Sequence, residues 1–271
     1  MNPLPNWWKS DNNHIIGDSL KIMDEIPDNT FDLIIADPPY NIGKNYGKLT
    51  NDNMSTDEYL KWCELWISKI SRVAKENSSL YVFGMHEQIL LLANVIRKYF
   101  NWKQTIVWIR SGKYSNKKNF TSRFETLLYY VKGEPYFEEP VMSINDENRR
   151  MTKASWERIQ YGFSERNNDT EPVNIGNVFY HQLTGDKNIY IHQTRKPFKL
   201  IEVLIKTSSK EGDMIFDPFL GTGTTIKVAR RLNRIGLGCE IEDKYIHDIE
   251  LDDCTEVEKL PNINDNLEEF F

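Results

Sequence analysis

Cysteine is scarce in this chain: Cys63, Cys239 and Cys254 are the only three in 271 residues, and none forms a C-x-x-C pair. So few, in an odd number, exclude a disulfide framework and a cysteine-rich zinc site, and they suit a reducing compartment. The five histidines lack the H-E-x-x-H spacing, so no metal centre is expected. No apolar run approaches the roughly 18 residues of a spanning helix. The opening MNPLPNWWKS lacks the charged and apolar regions of a secretory signal. A cytoplasmic protein with no membrane partner is the expectation.

Basic charge is also short overall, with a formal net charge of −6, but its distribution is uneven. Residues 242–271 carry 11 acids and 2 bases, which leaves the rest of the chain at +3. Between Arg97 and Phe124 stand eight bases and no acid: Arg97, Lys98, Lys103, Arg110, Lys113, Lys117, Lys118 and Arg123. Such a stripe is compatible with a polyanionic partner, and equally with a solvated loop. With 39% hydrophobic residues the chain can build a core, as one large α/β domain with an insertion or as two small domains.

The apolar pattern alternates short strands with helices. His14–Gly17, Phe31–Ala36, Leu80–Phe83, Lys103–Ile109 and Thr126–Val131 read as strands in the first half. Ser19–Ile26, Thr56–Lys75 and His86–Phe100 read as helices, the second capped by Ser55 or Thr56 with Glu58 nearby. From Gly133 to about Gly176 the periodicity weakens and polar residues dominate, which suggests an inserted segment. The pattern then resumes: helix Pro197–Ser209, strand Met214–Phe216, helix Thr222–Leu232, strand Ile235–Cys239 and a last helix Asp243–Leu251. This βαβα order implies a parallel sheet with helices on its faces. Trp102 and Trp108 read as core, and His86 as a helix-start residue.

Two motifs carry chemistry. The first is Asp37-Pro38-Pro39-Tyr40, directly after the strand F-D-L-I-I-A. A strand leaving a parallel sheet delivers its next residues into the ligand crevice. Two prolines stiffen the backbone and remove two N–H donors. The Asp37 carboxylate, the Pro38 carbonyl and the Tyr40 ring then suit a planar group bearing an NH₂. Read plainly, the same residues stiffen a loop.

The second runs from Phe216 to Thr225, F-D-P-F-L-G-T-G-T-T, at a strand-to-helix turn. Gly221 and Gly223 permit close backbone approach, and a helix start offers unpaired N–H groups. Glu240 follows Asp217 by 23 residues, at the end of the next strand, where a carboxylate can accept ribose hydroxyls. Ile226 stands where a dinucleotide fingerprint needs a third glycine, and no G-K-[ST] marks a P-loop. The pocket therefore looks built for an adenosine without a pyrophosphate, a description S-adenosylmethionine fits.

Taken together, D-P-P-Y followed by D-P-F-x-G-[ST]-G-T-T resembles the amino-methyltransferases of DNA. The motif order resembles their β group. I-I-G-D-S-L, S-L-Y-V-F-G, T-I-V-W, H-Q-T-R-K-P (His192–Pro197) and G-C-E-I-E-D-K-Y-I resemble further family segments, so the match runs from about Asn13 to Leu251 outside the middle insert. Gln193 and Arg195 depart from the family's H-P-T-Q-K-P, and Thr222 replaces the commoner serine.

The resemblance implies a circularly permuted, Rossmann-like methyltransferase sheet, mostly parallel, with helices on both faces and an inserted target-recognition segment. Residues 13–133 would form the catalytic half, 134–180 the insert, 181–251 the cofactor-binding half and 252–271 an acidic tail. It implies methyl transfer from S-adenosylmethionine to the exocyclic amine of a flipped base, and the aspartate form of the tetrapeptide favours adenine N6. Asp37, Pro38, Pro39 and Tyr40 would be catalytic. Asp18, Asp37, Thr194, Lys196, Asp217, Phe219, Gly221, Thr222, Gly223, Thr224 and Glu240 would bind the cofactor. Lys44, Lys113, Lys117, Lys118, Arg123, Arg149, Arg150 and Arg158 are the candidate DNA contacts. Arg166 and Lys153 also lie in the insert, and the loop Asn41–Asn53, with Lys44, Tyr46 and Lys48, reads equally as a cover that closes over the site and as an ordinary flexible loop. Double-stranded DNA is the implied partner; a companion restriction endonuclease and a homodimer stay open.

The alternatives are a cytosine-N4 enzyme, an RNA or protein-amide N-methyltransferase, a non-catalytic DNA-binding relative and a nicotinamide dehydrogenase. The missing third glycine weighs against the last.

Overall fold

The computed structural model describes residues 14–44, 46–47, 49–114, 122–142, 173–174, 177–181 and 196–245. Residues 1–138 with 177–255 form one compact unit, and residues 139–176 with 256–271 a second.

The first unit opens with β1 (His14–Ile16), α1 (Ser19–Glu25), β2 (Phe31–Ala36), α2 (Thr56–Val73), β3 (Ala74–Gly84) and α3 (His86–Ile96). It continues with β4 (Asn101–Tyr114) and β5 (Ser122–Lys132). In the second unit, β6 (Val141–Met142) pairs antiparallel with β7 (Val173–Asn174). The chain then returns to the first unit with β8 (Val178–His181), α4 (Phe198–Ser208), β9 (Met214–Asp217), α5 (Thr224–Arg231) and β10 (Ile235–Glu240).

Eight strands make one sheet in the order β1-β10-β9-β2-β3-β5-β4-β8. All neighbours are parallel except β5, which runs against both β3 and β4. The βαβα order implied a parallel sheet and the resemblance a mostly parallel one, which is the sheet that forms, with β5 the exception. The exception follows from chain length: too few residues separate β4 from β5 for a crossover helix, and only antiparallel neighbours accept so short a connection.

Helices cover both faces. Leu80 and Val82 of β3 join the buried cluster that holds Tyr59, Cys63, Trp66, Ile67 and Ile70 of α2 and Leu92 and Ile96 of α3. Tyr81, between them and so on the other face, bonds Ser208 of α4 at 2.7 Å. A strand covered twice is apolar throughout, which is why F-D-L-I-I-A does not alternate. Its one acid, Asp32, accepts from Lys75 Nζ and, at 2.9 Å, from the Met214 amide, so it ties β2 to β9.

Helix α2 begins where its sequence says it should. Ser55 accepts from the Glu58 amide while Glu58 bonds back to the Ser55 amide. The apolar residues at three- and four-residue spacing face the sheet, each burial contributing about 1.5–3 kcal/mol.

Several expected boundaries move. Helix α2 gives way to β3 at Ala74, earlier than Lys75, and α3 ends at Ile96, not Phe100. Trp102 is a correction: at 52% it is exposed, whereas Trp108 is core as expected. Among the described residues the last helix amounts to one 3-10 turn, Asp243–Tyr245; residues 246–251 lie outside them. No described helix is long and apolar enough to cross a membrane.

Candidate active site

Chain order reverses across the β2–β9 pair. The chain leaves β2 through α2 for β3 on one side, and leaves β9 through α5 for β10 on the other. Adjacent strands that diverge in this way leave a crevice at their carboxyl ends. Both motifs emerge there, Asp37 after β2 and Asp217 at the end of β9.

Tyr40 donates to Asp37 Oδ1 at 2.6 Å, and Lys196 Nζ donates to Asp37 Oδ2 at 2.6 Å. The Tyr59 hydroxyl bonds the Pro39 carbonyl at 3.0 Å, which pins the tetrapeptide to α2. Lys196 also stands 3.2 Å from the Tyr40 hydroxyl and 3.4 Å from Glu125 Oε2, with its ammonium over the Phe83 ring. Burial pulls the Lys196 ammonium down, but the carboxylates of Asp37 and Glu125 outweigh it and hold the ammonium above its ordinary value. Burial, and then the same two carboxylates, push the Tyr40 phenol well up, so it stays a donor.

The loop after the tetrapeptide is internally braced. Asn41 adopts a positive φ of 56°, and Asp52 accepts the amides of Asn41, Ile42 and Lys44 at 2.6, 3.2 and 2.8 Å. Its far side rests on the residues after β10. The Leu49 amide donates to Glu242 at 2.8 Å, and Lys244 and Tyr245 both bond the Tyr46 carbonyl.

The second motif forms a tight turn. Gly221 and Gly223 have φ of 55° and 79°, a region that costs an L side chain about 1–2 kcal/mol. Asp217 accepts the Phe219 amide at 3.0 Å and the Thr225 hydroxyl at 2.6 Å. Burial pushes its carboxyl up to about 7, with the charges of Asp37 and Glu240 adding to the rise. Glu240 accepts the amides of Gly221 and Glu242 at 2.7 and 2.9 Å, and burial raises its carboxyl too. Thr222 and Thr224 are buried in the turn. Gly238 lies under it: a Cβ there would stand 2.6 Å from Leu220.

Asp18 reaches the same edge, because Ile16 is registered against Glu240 and the Gly17 amide bonds the Glu240 carbonyl at 2.8 Å. Its side chain caps α1. The Phe219 ring turns into α2, edge-on to Trp66 and tilted on Trp62. Lys196, expected among the cofactor contacts, spends its ammonium on Asp37. Lys44 sits in the braced loop. Thr194, Lys48, Lys117, Lys118, Arg149, Arg150, Lys153, Arg158 and Arg166 lie outside the described residues, as do the side chains of Lys113 and Arg123.

Sequence reasoning missed Glu125, Asp52, Thr225 and Glu242. Glu125 carried a signal, as the one acid leading an apolar strand, F-E-T-L-L-Y-Y-V. The others are ordinary polar residues until the fold sets them against a backbone amide or a carboxylate.

A family model described as DNA methylase, whose scope spans N6 and N4 amino-methylases, matches residues 31–251. The type II methyltransferase M.HpaI of Haemophilus parainfluenzae is 31% identical over 86% of this chain and 71% of its own length. The DNA adenine methyltransferase YhdJ of Escherichia coli K12 is 33% identical over 86% of this chain and 79% of its own. The crystal structure of the M1.HpyAVI–SAM complex shares the fold, with a TM-score of 0.61 and 20% identity over 88% of this chain and 97% of that one. With the match spanning both motifs and the strands that carry them, the chain belongs to the DNA methylase family.

Proposed function

We propose that this protein is a site-specific methyltransferase that moves the methyl of S-adenosylmethionine to the N6 amine of an adenine flipped out of duplex DNA. One observation carries the reading: the Asp37 carboxylate and the Asp217–Gly223 turn leave adjacent strands, β2 and β9, at the point where chain order reverses. Aspartate at the head of the tetrapeptide supports adenine over cytosine, and so does the likeness to the Escherichia coli adenine enzyme.

The residues of the turn fit an adenosyl group. Glu240 already accepts two backbone amides, so its carboxylate is held in place with further lone pairs to offer ribose hydroxyls. Positive φ at Gly221 and Gly223 keeps side chains out of the approach. Asp18, Asp217, the Phe219 backbone, Thr222 and Thr224 would complete the hold, with Thr194 toward the methionine end. When bound, the cofactor supplies an electrophilic methyl on a sulfonium.

This chain's own residues prepare the amine. An exocyclic amine is a poor nucleophile because its lone pair is delocalised into the ring. Asp37 and the Pro38 carbonyl accept its two hydrogens and draw electron density back onto nitrogen. Flipping the base costs a few kcal/mol, and stacking on Tyr40 returns about 1–3. Tyr40 is buried, so the entering base displaces what covers it, and the Asn41–Asn53 loop is the candidate cover. We assign base reading to the 134–180 segment, and backbone contacts to Lys44 and the basic stripe.

Nucleoside mass spectrometry of DNA incubated with protein and cofactor, beside Asp37→Ala, tests this. N6-methyladenine that vanishes in the variant is expected. N4-methylcytosine would overturn the base assignment, and no methylated base would overturn the reaction.

A further inference from the structure

Asp37 and Tyr40 of the tetrapeptide belong to a group of four polar side chains completed by Glu125 and Lys196 from outside it. The Tyr40 hydroxyl lies between two carboxylates, 2.6 Å from Asp37 Oδ1 and 3.4 Å from Glu125 Oε2. The Lys196 ammonium bridges the same two residues, 2.6 Å from Asp37 Oδ2 and 3.4 Å from Glu125 Oε2. Tyr40, Glu125 and Lys196 are 4, 6 and 7% exposed. Two carboxyl groups, an ammonium and a phenol thus share one poorly solvated place, where charge is costly unless paired.

Methylation of an amine releases a proton. The nitrogen gains a methyl carbon and loses one hydrogen as a proton, while the electron pair of the broken S–C bond stays on sulfur. On the methyltransferase reading above, each turnover therefore delivers one proton to the groups that hold the amine. We infer that Glu125 is the final acceptor of this proton, reached from Asp37 through the Tyr40 hydroxyl, with Lys196 holding the two carboxylates in place. The amine hydrogen passes to Asp37. Asp37 Oδ1 then hands a proton to Tyr40 Oη as Tyr40 passes its own to Glu125 Oε2. At the end Asp37 is a carboxylate, Tyr40 a phenol and Glu125 a carboxylic acid, and release to water resets the cluster.

Among the described residues, Glu125 faces Asp37 and Tyr40 beyond β2, Tyr46 of the following loop and Lys196 ahead of α4. The phenols of Tyr40 and Tyr46 and the ammonium of Lys196 are all held above their ordinary values, so each ends a turnover still protonated near neutral pH, Tyr40 by gaining one proton as it passes on another. Among the described residues that leaves the carboxylates as stores. Asp37 must be an anion again before the next amine arrives, which leaves Glu125.

The test compares wild type with Glu125→Gln, Glu125→Ala and Tyr40→Phe in single-turnover methylation of unmethylated plasmid DNA across pH. Cofactor affinity by titration and melting temperature are measured beside it. Glutamine still accepts a hydrogen bond from Lys196 but takes no proton, so Glu125→Gln is expected to lose about 100-fold in rate at unchanged cofactor affinity and melting temperature. Its rate should climb with pH as hydroxide replaces the lost acceptor. Added acetate should restore part of the rate of Glu125→Ala. Tyr40→Phe keeps the stacking ring and loses only the bridging hydroxyl, and it should slow to a similar degree. Rescue by glutamine, with the wild-type rate and pH profile, would overturn the proposal, as would a Tyr40→Phe enzyme at full rate. A wild-type protein that methylates nothing would instead overturn the methyltransferase reading.

Discussion

Glu240 holds Gly221 by its amide at 2.7 Å, so the carboxylate at the end of β10 and the glycine turn after β9 are one bonded unit. The two lie 19 positions apart in sequence, yet β9 and β10 are parallel neighbours with Gly238 registered on Asp217. A bond from a carboxylate to a backbone amide is among the stronger ones, worth about 1.5–3 kcal/mol. Glu240 therefore shapes the glycine turn to which the cofactor is assigned.

Replacing Glu240 by alanine should weaken S-adenosylmethionine binding by about 10- to 100-fold in calorimetry, through lost hydroxyl contacts and a loosened turn. Glutamine, which still accepts the Gly221 amide, should fall between. Equal affinity in all three proteins would refute the assignment.

Stability should fall as pH rises through the acid range, in part because of Asp217. Its carboxyl is pushed up to about 7 in the fold from an ordinary 3.8. Between those values the folded state keeps a proton that the unfolded state has released, so each step up in pH favours unfolding. The contribution is present near pH 4 and gone above about 7. Asp217→Asn, neutral throughout, should flatten that part of a melting-temperature profile and raise the melting temperature at pH 8. An unchanged slope would count against the burial argument.

A side chain at Gly47 must displace Glu242. The Gly47 φ is 148°, and a Cβ would collide with the Glu242 carboxylate that accepts the Leu49 amide. Gly47→Ala should expel Glu242, release the loop and raise the rate of limited proteolysis within residues 41–54 by several-fold. The fold should melt only slightly lower, a loss of about 1–3 kcal/mol. A loop as resistant as wild type would show that its docking does not depend on this contact.

Much of the fold was legible because its rules are local. The Ser55–Glu58 box, the three- and four-residue spacing of α2 and the unbroken apolar run of β2 each follow from one stretch of chain. The exposed Trp102 and the reversed strand β5 did not: an aromatic in a strand is core or surface depending on what packs against that face, and strand direction depends on which neighbour the chain finds.

The sequence by itself determined the identity of the two motifs, their order and the type of element that carries each. Proline chemistry, glycine backbone freedom and hydrophobic period act over a few residues. Only the tertiary structure decided which groups share a proton. Glu125 and Lys196 lie 88 and 159 positions from Asp37, and no local rule couples residues so distant. Their meeting rests on the sheet placing β5 beyond β3 and on the approach to α4 ending against Asp37, which sets both charges in a dry space where each must be balanced by the others.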